Sequence, residues 1–410
     1  MRVARSASTA YWPSIFRARG ALASIMLASY GAGASGAPSI GSPPVVTPSH
    51  MPAPTPTPAP NGIALAKAMA PGWNLGNSLE AIGSGAQPAT SSQETAWGNP
   101  PVTQELLNAV KSAGFNSVRI PVAWSQYTDA AGNISPAWMA RVTDVVTYAR
   151  NAGLYVIINI HWDGGWMQPT YAEQGAVNAK LTRLWAQIAN NFKGQDGHLL
   201  FAGTNEVMVT NLYAAPTAEH CAVQNSFNQT FVNAVRATGG NNATRYLVVQ
   251  TFNTGIDYGM GCNLTLPSES AANRLMIEVH YYDPYNFALN EKSKVWQWGS
   301  IAAEPNATET SASEAHADAQ FDKMKVNFID KGIPVILGEY SAIGRTEYDP
   351  AGMYRTYWDK YITLSAYRRG LVPMYWDNGY ISNHATGLFD RTKAKIAFPD
   401  TVKAIIEAAR

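Results

Sequence analysis

The sequence predicts a (β/α)8 TIM barrel forming a single catalytic domain, and three observations predict it. Eight short apolar runs recur along residues 62–410, helical patterns lie between most of them, and polar or aromatic side chains gather where the runs end. Parallel strands covered on both faces read as near-continuous apolar segments rather than alternating ones. Strand and helix in repeated alternation close into a barrel whose strand C-termini share one opening, where catalysis occurs.

The runs cover residues 73–79, 117–124, 155–162, 199–206, 246–253, 275–282, 334–340 and 372–377. Helical patterns fill residues 104–113, 136–152, 178–192, 315–331 and 353–368, and Gly114, Gly153, Gly332 and Gly370 stand where several of them should stop. An open doubly wound sheet is the alternative. It normally carries a Gly-rich phosphate turn after its first strand, and Trp73-Asn74-Leu75-Gly76-Asn77-Ser78 is not such a turn.

Ahead of the domain, Arg2, Arg5, Arg17 and Arg19 precede a short, weakly apolar core and the small-residue site Ala32-Gly33-Ala34. This pattern predicts a secretory signal over residues 1–34 and a secreted protein, extracellular or periplasmic. The apolar core is too short to span a bilayer. Residues 35–61, rich in Pro and Thr, read as a disordered linker that cannot bury a core. The formal net charge of +1 gives no electrostatic case for nucleic acid or an anionic membrane, and a hydrophobic content of 46% supplies a full core. The chain is expected to act as a monomer. Cys221 and Cys262 either form one disulfide between loops or stand as two buried thiols. Asn228-Gln229-Thr230 and Asn242-Ala243-Thr244 are sequons that matter in a glycosylating host.

The strand ends carry the chemistry. Arg119 lies on the second run, His161-Trp162-Asp163 end the third, and Asn205-Glu206 end the fourth. His280-Tyr281-Tyr282 end the sixth, Glu339 the seventh, and Tyr375-Trp376-Asp377-Asn378 the eighth. An acidic residue on a buried strand is costly without a purpose. Two glutamates facing each other across one mouth form the equipment for cleaving a glycosidic bond. Two histidines and a carboxylate also suit zinc, but no His-x-x-x-His pair or other compact ligand spacing appears. Neither a metal nor a cofactor is expected.

In this order the motifs resemble family 5 glycoside hydrolases, a clan of retaining barrel glycosidases. They are Gly72-Trp73-Asn74-Leu75-Gly76-Asn77, Val118-Arg119-Ile120-Pro121, Asn159-Ile160-His161-Trp162, Thr204-Asn205-Glu206, His280-Tyr281-Tyr282, Gly338-Glu339-Tyr340 and Tyr375-Trp376-Asp377-Asn378. With Ala96-Trp97-Gly98-Asn99-Pro100, the first looks most like the endo-β-1,4-glucanase (cellulase) branch. The resemblance implies Glu206 as proton donor and acid/base, and Glu339 as nucleophile. It implies supporting roles for Arg119, Asn205, His161, His280 and Tyr282, with Asn205 on the sugar 2-hydroxyl. Trp376 follows the family's sugar platform. Trp162, Trp166, Trp296 and Trp298 are candidate subsite walls or ordinary loop packing. Asn77 is a further candidate substrate contact, and Glu80 either reaches a distal sugar hydroxyl or makes a surface ion pair. Val207 replaces the proline that many members have after the acid/base.

The expected partner is thus a β-glucan polysaccharide, cleaved at internal β-1,4 links with retention. Xyloglucan, mannan or xylan as substrate, and a degenerate barrel that binds carbohydrate without turnover, are the alternatives.

Overall fold

A computed structural model describes residues 61–85, 88–262 and 264–410. The expected leader (1–34) and all but the last residue of the expected linker (35–61) lie outside them. Eight strands form: β1 (Gly72–Leu75), β2 (Ser117–Ile120), β3 (Tyr155–Asn159), β4 (Leu199–Ala202), β5 (Leu247–Gln250), β6 (Leu275–His280), β7 (Val335–Tyr340) and β8 (Val372–Asp377). Each pairs in parallel with the next, and β8 returns to β1, with Gly72 opposite Met374, so the barrel is closed. Most strands end before their apolar runs do. The chain leaves the ladder at Asn77, Asp163 and Glu206, all with positive φ (56°, 51° and 43°). Non-glycine residues in that region are strained, and such strain gathers where side chains must be aimed.

Parity along each strand sorts the core into two layers. Ile157, Leu200, Ala202, Val248, Met276, Ile336 and Met374 form one buried cluster. Their sequence neighbours Val156, Ile158, Leu199, Phe201, Val249, Ile277, Val335 and Leu337 belong to the other, together with the apolar faces of the surrounding helices. The first cluster lines the barrel and the second joins barrel to helical shell, because successive strand side chains point to opposite faces. The helix Gly62–Met69 adds Leu65 and Met69 to the inner cluster, so it plugs the floor. Asn61 caps it, accepting from the Ala64 amide at 2.7 Å. Carried one step toward the C-terminal end, the inward parity falls on Asn74, Arg119, Asn159, Gln250, Glu278 and Trp376.

The helices Gln104–Ala113 and Met353–Arg368 have the expected limits, and Gly114 closes the first with φ 111°. The helix Tyr171–Phe192 starts earlier than its pattern does, since its opening turns are mostly exposed and carry no apolar stripe. The expected helix over 315–331 divides at Phe328 into Glu314–Asn327 and a short turn Ile329–Lys331. Ala218–Arg236 is a long helix that the expected pattern omits. Its stripe Val223, Phe227, Phe231, Val235 is diluted by the buried polar residues Gln224 and Asn228.

Burial corrects the sequon reading. Asn228 and Asn242 are fully buried, and their amides donate to the carbonyls of Gln250 (2.9 Å) and Ala189 (2.7 Å). Neither nitrogen is open to glycosylation in the folded protein. The two cysteines are joined: Cys221 in the first turn of Ala218–Arg236 bonds Cys262 after the helix Ile256–Gly261, with Cα atoms 5.1 Å apart. Among the described residues no helix is long and apolar enough to cross a membrane.

The bridge spans 41 residues, and loop-closure entropy for such a span corresponds to about 2–4 kcal/mol. Replacing both cysteines by serine is expected to lower the thermal unfolding midpoint measurably while kcat at 25 °C (well below that midpoint) stays within about twofold.

Candidate active site

Arg119 organises the barrel mouth. Its position on β2 points inward, its guanidinium is fully buried, and it donates to acceptors from four other strands or strand exits. Nη1 reaches Asn74 Oδ1 (3.1 Å) and Glu339 Oε1 (2.9 Å). Nη2 reaches Asn205 Oδ1 (2.5 Å) and Glu278 Oε1 (2.9 Å). A guanidinium cannot lose its charge here, so burying it demands carboxylate partners.

Glu339 is 3% exposed. Its second oxygen accepts from the Tyr282 hydroxyl at 3.0 Å. Burial pushes its carboxyl above the ordinary range, and the neighbouring Glu206 adds to that. His280, Arg119 and the Tyr282 bond pull in the opposite direction. The nucleophilic form therefore depends on the charges of His280 and Arg119 and on the hydrogen bonds from Arg119 and Tyr282. Burial and both glutamates hold the Tyr282 hydroxyl well above its usual range, so it remains a donor.

Glu206 is the more open carboxylate, with a side-chain exposure of 19%. His280 Nδ1 lies 2.8 Å from its Oε1 and 3.6 Å from Glu339 Oε2. One carboxylate oxygen from each glutamate and one His280 nitrogen lie within 4.8 Å of one another. That spacing matches the close approach of retaining pairs, about 5–5.5 Å, and leaves no room for the water of an inverting site. The same three atoms have the geometry of a metal cluster. Both Glu339 oxygens already accept hydrogen bonds and a guanidinium lies against them, so the donor set suits a hydrogen-bonded charge network better than a dication.

Burial opposes charge on His280, but Glu339, the bond to Glu206 and the bond to Glu278 outweigh it and push the imidazole up to about 9. His161 behaves oppositely. Burial, Arg119 and His280 all hold it well below its usual range, so it is neutral. Asn159 Nδ2 lies 3.1 Å from His161 Nδ1 and donates to it, which puts the ring proton on Nε2. Asn205 spends its oxygen on Arg119, so its amide N–H2 is left to donate to a substrate.

Trp376, at the end of β8, lies parallel to His161 (centroids 5.7 Å apart, 7° between planes) and is 4% exposed. It offers a sugar only a small part of its ring. Trp162 is 56% exposed beside His161, the most open tryptophan of the mouth. Trp166 is half-buried, donating from Nε1 to Asp163 Oδ2 (2.7 Å) with the Lys180 ammonium over its ring. Trp296 is half-buried and stacks on Tyr348. Asn77 is half-buried, and its Oδ1 has no protein donor among the described residues.

Two expectations are corrected. Trp298 is fully buried and donates to the Ala312 carbonyl (2.7 Å), so it packs the loop after β6 and faces no substrate. Glu80 is 2% exposed and accepts from the Asn77 and Ser78 amides. It pins the turn leaving β1 rather than reaching a distal sugar or a surface cation. Burial pushes its carboxyl up to about 7. Sequence reasoning also missed Glu278 and Asn74. Both have inward parity, but Glu278 sits inside the run Leu275–His280 and reads as an interruption of a strand.

The family model for cellulase, glycosyl hydrolase family 5, matches residues 80–382. Endoglucanase A of Paenibacillus barcinonensis is 38% identical over 357 residues, 83% of this chain and 88% of that protein. The structure of a Bacteroides ovatus family 5 xyloglucanase with a heptasaccharide superposes with a TM-score of 0.80 at 40% identity, covering 85% of this chain and 76% of that one. A broad-specificity endoglucanase from Bacteroides salanitronis gives 0.78 at 36%, covering 85% and 94%. With that likeness spanning the barrel and its mouth, the chain belongs to glycoside hydrolase family 5.

Proposed function

We propose that this enzyme is a secreted endo-β-1,4-glucanase that hydrolyses internal bonds of cellulose-like β-glucans by double displacement. The carrying observation is the approach of the Glu206 and Glu339 carboxylates to within 4.8 Å, one of them held by Arg119 and Tyr282. Glu339 attacks the anomeric carbon while the bond to the leaving oxygen breaks and Glu206 gives that oxygen its proton. A glycosyl ester on Glu339 results. Water then attacks the same carbon, its proton passes to Glu206, and the ester bond breaks. Glu206 regains the proton it lost, so the cycle closes without metal or redox group. The Asn205 amide donates to the 2-hydroxyl, and Trp376 and Trp162 offer stacking surface for sugar rings.

Xyloglucan is the second reading, because a relative sharing 39% identity over 91% of this chain is a xyloglucan-specific endo-β-1,4-glucanase. The two substrates share a backbone and the same cleavage chemistry, so the distinction rests on loop contacts. Export is supported by the basic and weakly apolar N-terminal sequence and by the disulfide, which persists in an oxidising compartment. Action on polysaccharide, away from nucleic acid and anionic membrane, accords with the near-zero net charge.

Hydrolysis of defined cello- and xyloglucan oligosaccharides, followed by NMR, is expected to release the β-anomer first; initial α-anomer would contradict the mechanism. Glu339→Gln is expected to cut kcat at least about 10³-fold while the protein still folds, as read by circular dichroism. Residual turnover near the unaltered rate would remove Glu339 from its role. Trp162→Ala should raise KM about 3- to 10-fold with little effect on stability, whereas Trp298→Phe should lower the unfolding midpoint and leave KM unchanged.

A further inference from the structure

Glu278 is fully buried on β6, two residues before His280, and nothing in the two-step reaction calls for it. Its Oε1 accepts from Arg119 Nη2 at 2.9 Å and lies 3.1 Å from His280 Nε2. A buried carboxylate is expensive and is kept only when well paired. The chain makes a second concession to it. Val279 pairs with Leu337 but His280 pairs with Glu339, so Gly338 is an extra residue in β7. A Cβ on Gly338 would fall on the Glu278 carboxylate. The glycine beside the proposed nucleophile is thus the space that Glu278 occupies.

His280 lies between carboxylates on both sides. Nε2 faces Glu278, while Nδ1 faces Glu206 at 2.8 Å and Glu339 at 3.6 Å. The other charged or titratable groups around it are Arg119 from β2, His161 after β3 and Tyr282 following its own strand. We propose that Glu278 is a positioning residue for the acid–base step. By accepting the Nε2 proton of His280, it aims the Nδ1 proton of that ring at Glu206 Oε1 and leaves Glu206 Oε2 to carry the proton that goes to the leaving group.

The logic is that of a carboxylate fixing a histidine tautomer for its catalytic partner. Arg119 and His280 hold Glu278 below the usual carboxylate range against the effect of burial, so it accepts at every working pH. As the glycosidic bond breaks, the Oε2 proton moves to the departing oxygen. The Glu206 carboxylate so formed keeps the Nδ1–H bond and is stabilised by the imidazolium charge. In the second step Glu206 takes the proton of the attacking water. No proton leaves His280 in either direction.

The inference rests on Glu206 being the acid/base, and the test separates the two ideas. Glu278→Gln keeps the shape and removes the charge. On cello-oligosaccharides, whose leaving alcohol needs a proton, kcat/KM is expected to fall about 10²-fold. On a dinitrophenyl β-cellobioside, whose phenolate leaves unassisted, it should fall less than about threefold. The alkaline limb of the cello-oligosaccharide profile should move to lower pH, because the imidazolium has lost one counter-charge. Equal losses on both substrates, or an unmoved limb, would overturn the role of Glu278 and leave the assignment of Glu206 standing. Failure of the unaltered enzyme to hydrolyse either substrate would overturn the functional reading itself. Should the variant not fold, ¹⁵N-histidine NMR of the unaltered protein decides, with His280 assigned by its loss in His280→Gln. Nε2 is expected to stay protonated throughout the titration, and a neutral ring protonated on Nδ1 alone would sink the proposal.

Discussion

The mouth of this barrel is organised by one buried cation. Arg119 donates to Asn74, Glu339, Asn205 and Glu278, which come from β1, β7, the exit of β4, and β6. Removing one partner from a buried ion pair costs about 3–5 kcal/mol, because the survivor stays charged and dry. The four acceptors are therefore tied to one point in space. Arg119 favours the carboxylate form of Glu339 against its burial, Asn205 is turned so that its N–H2 faces outward, and Glu278 is retained beside His280. Loops around the mouth can vary without disturbing these relations, because the network is built on strands and strand exits.

The strands place the network through parity. The inward positions below it are apolar and fill the barrel, and the next inward layer is polar apart from Trp376. Only β7 breaks the rule: Gly338 is inserted so that Glu339 lies opposite His280. This single extra residue explains two features together. It brings the glutamate into register with the histidine, and its missing side chain makes room for the Glu278 carboxylate. Positive φ at Asn77, Asp163 and Glu206 completes the aiming at three other strand exits. The left-handed turn at Glu206 lifts the more exposed carboxylate toward solvent, while its partner stays inside the barrel.

Much of this was legible in the chain. The apolar runs located all eight strands, since burial on both faces leaves little polar sequence to obscure them. Glu206, Glu339, His280 and Tyr282 stood out as polar groups at run ends and Arg119 as a cation within one, and the fold brings all five together. Glu278 escaped notice because a run with one acidic residue reads as an imperfect strand, and parity becomes informative only once the inner face is known. Trp298 was left undecided, and Glu80 misread, for the converse reason. Loop residues carry no periodicity, so the sequence does not separate a tryptophan lining a cleft from one packing the loop beneath it. The sequons at Asn228 and Asn242 failed similarly, as a three-residue pattern is blind to burial.

Double displacement requires Glu339 to become covalently bonded to sugar. Incubation with a deoxyfluoro cellobioside bearing an activated leaving group slows the second step and traps that species. Peptide mapping by mass spectrometry is expected to find one sugar per chain, esterified to the peptide containing Glu339. A label on Glu206, or turnover that passes through no covalent species, would contradict the assignment on which the mechanism is built.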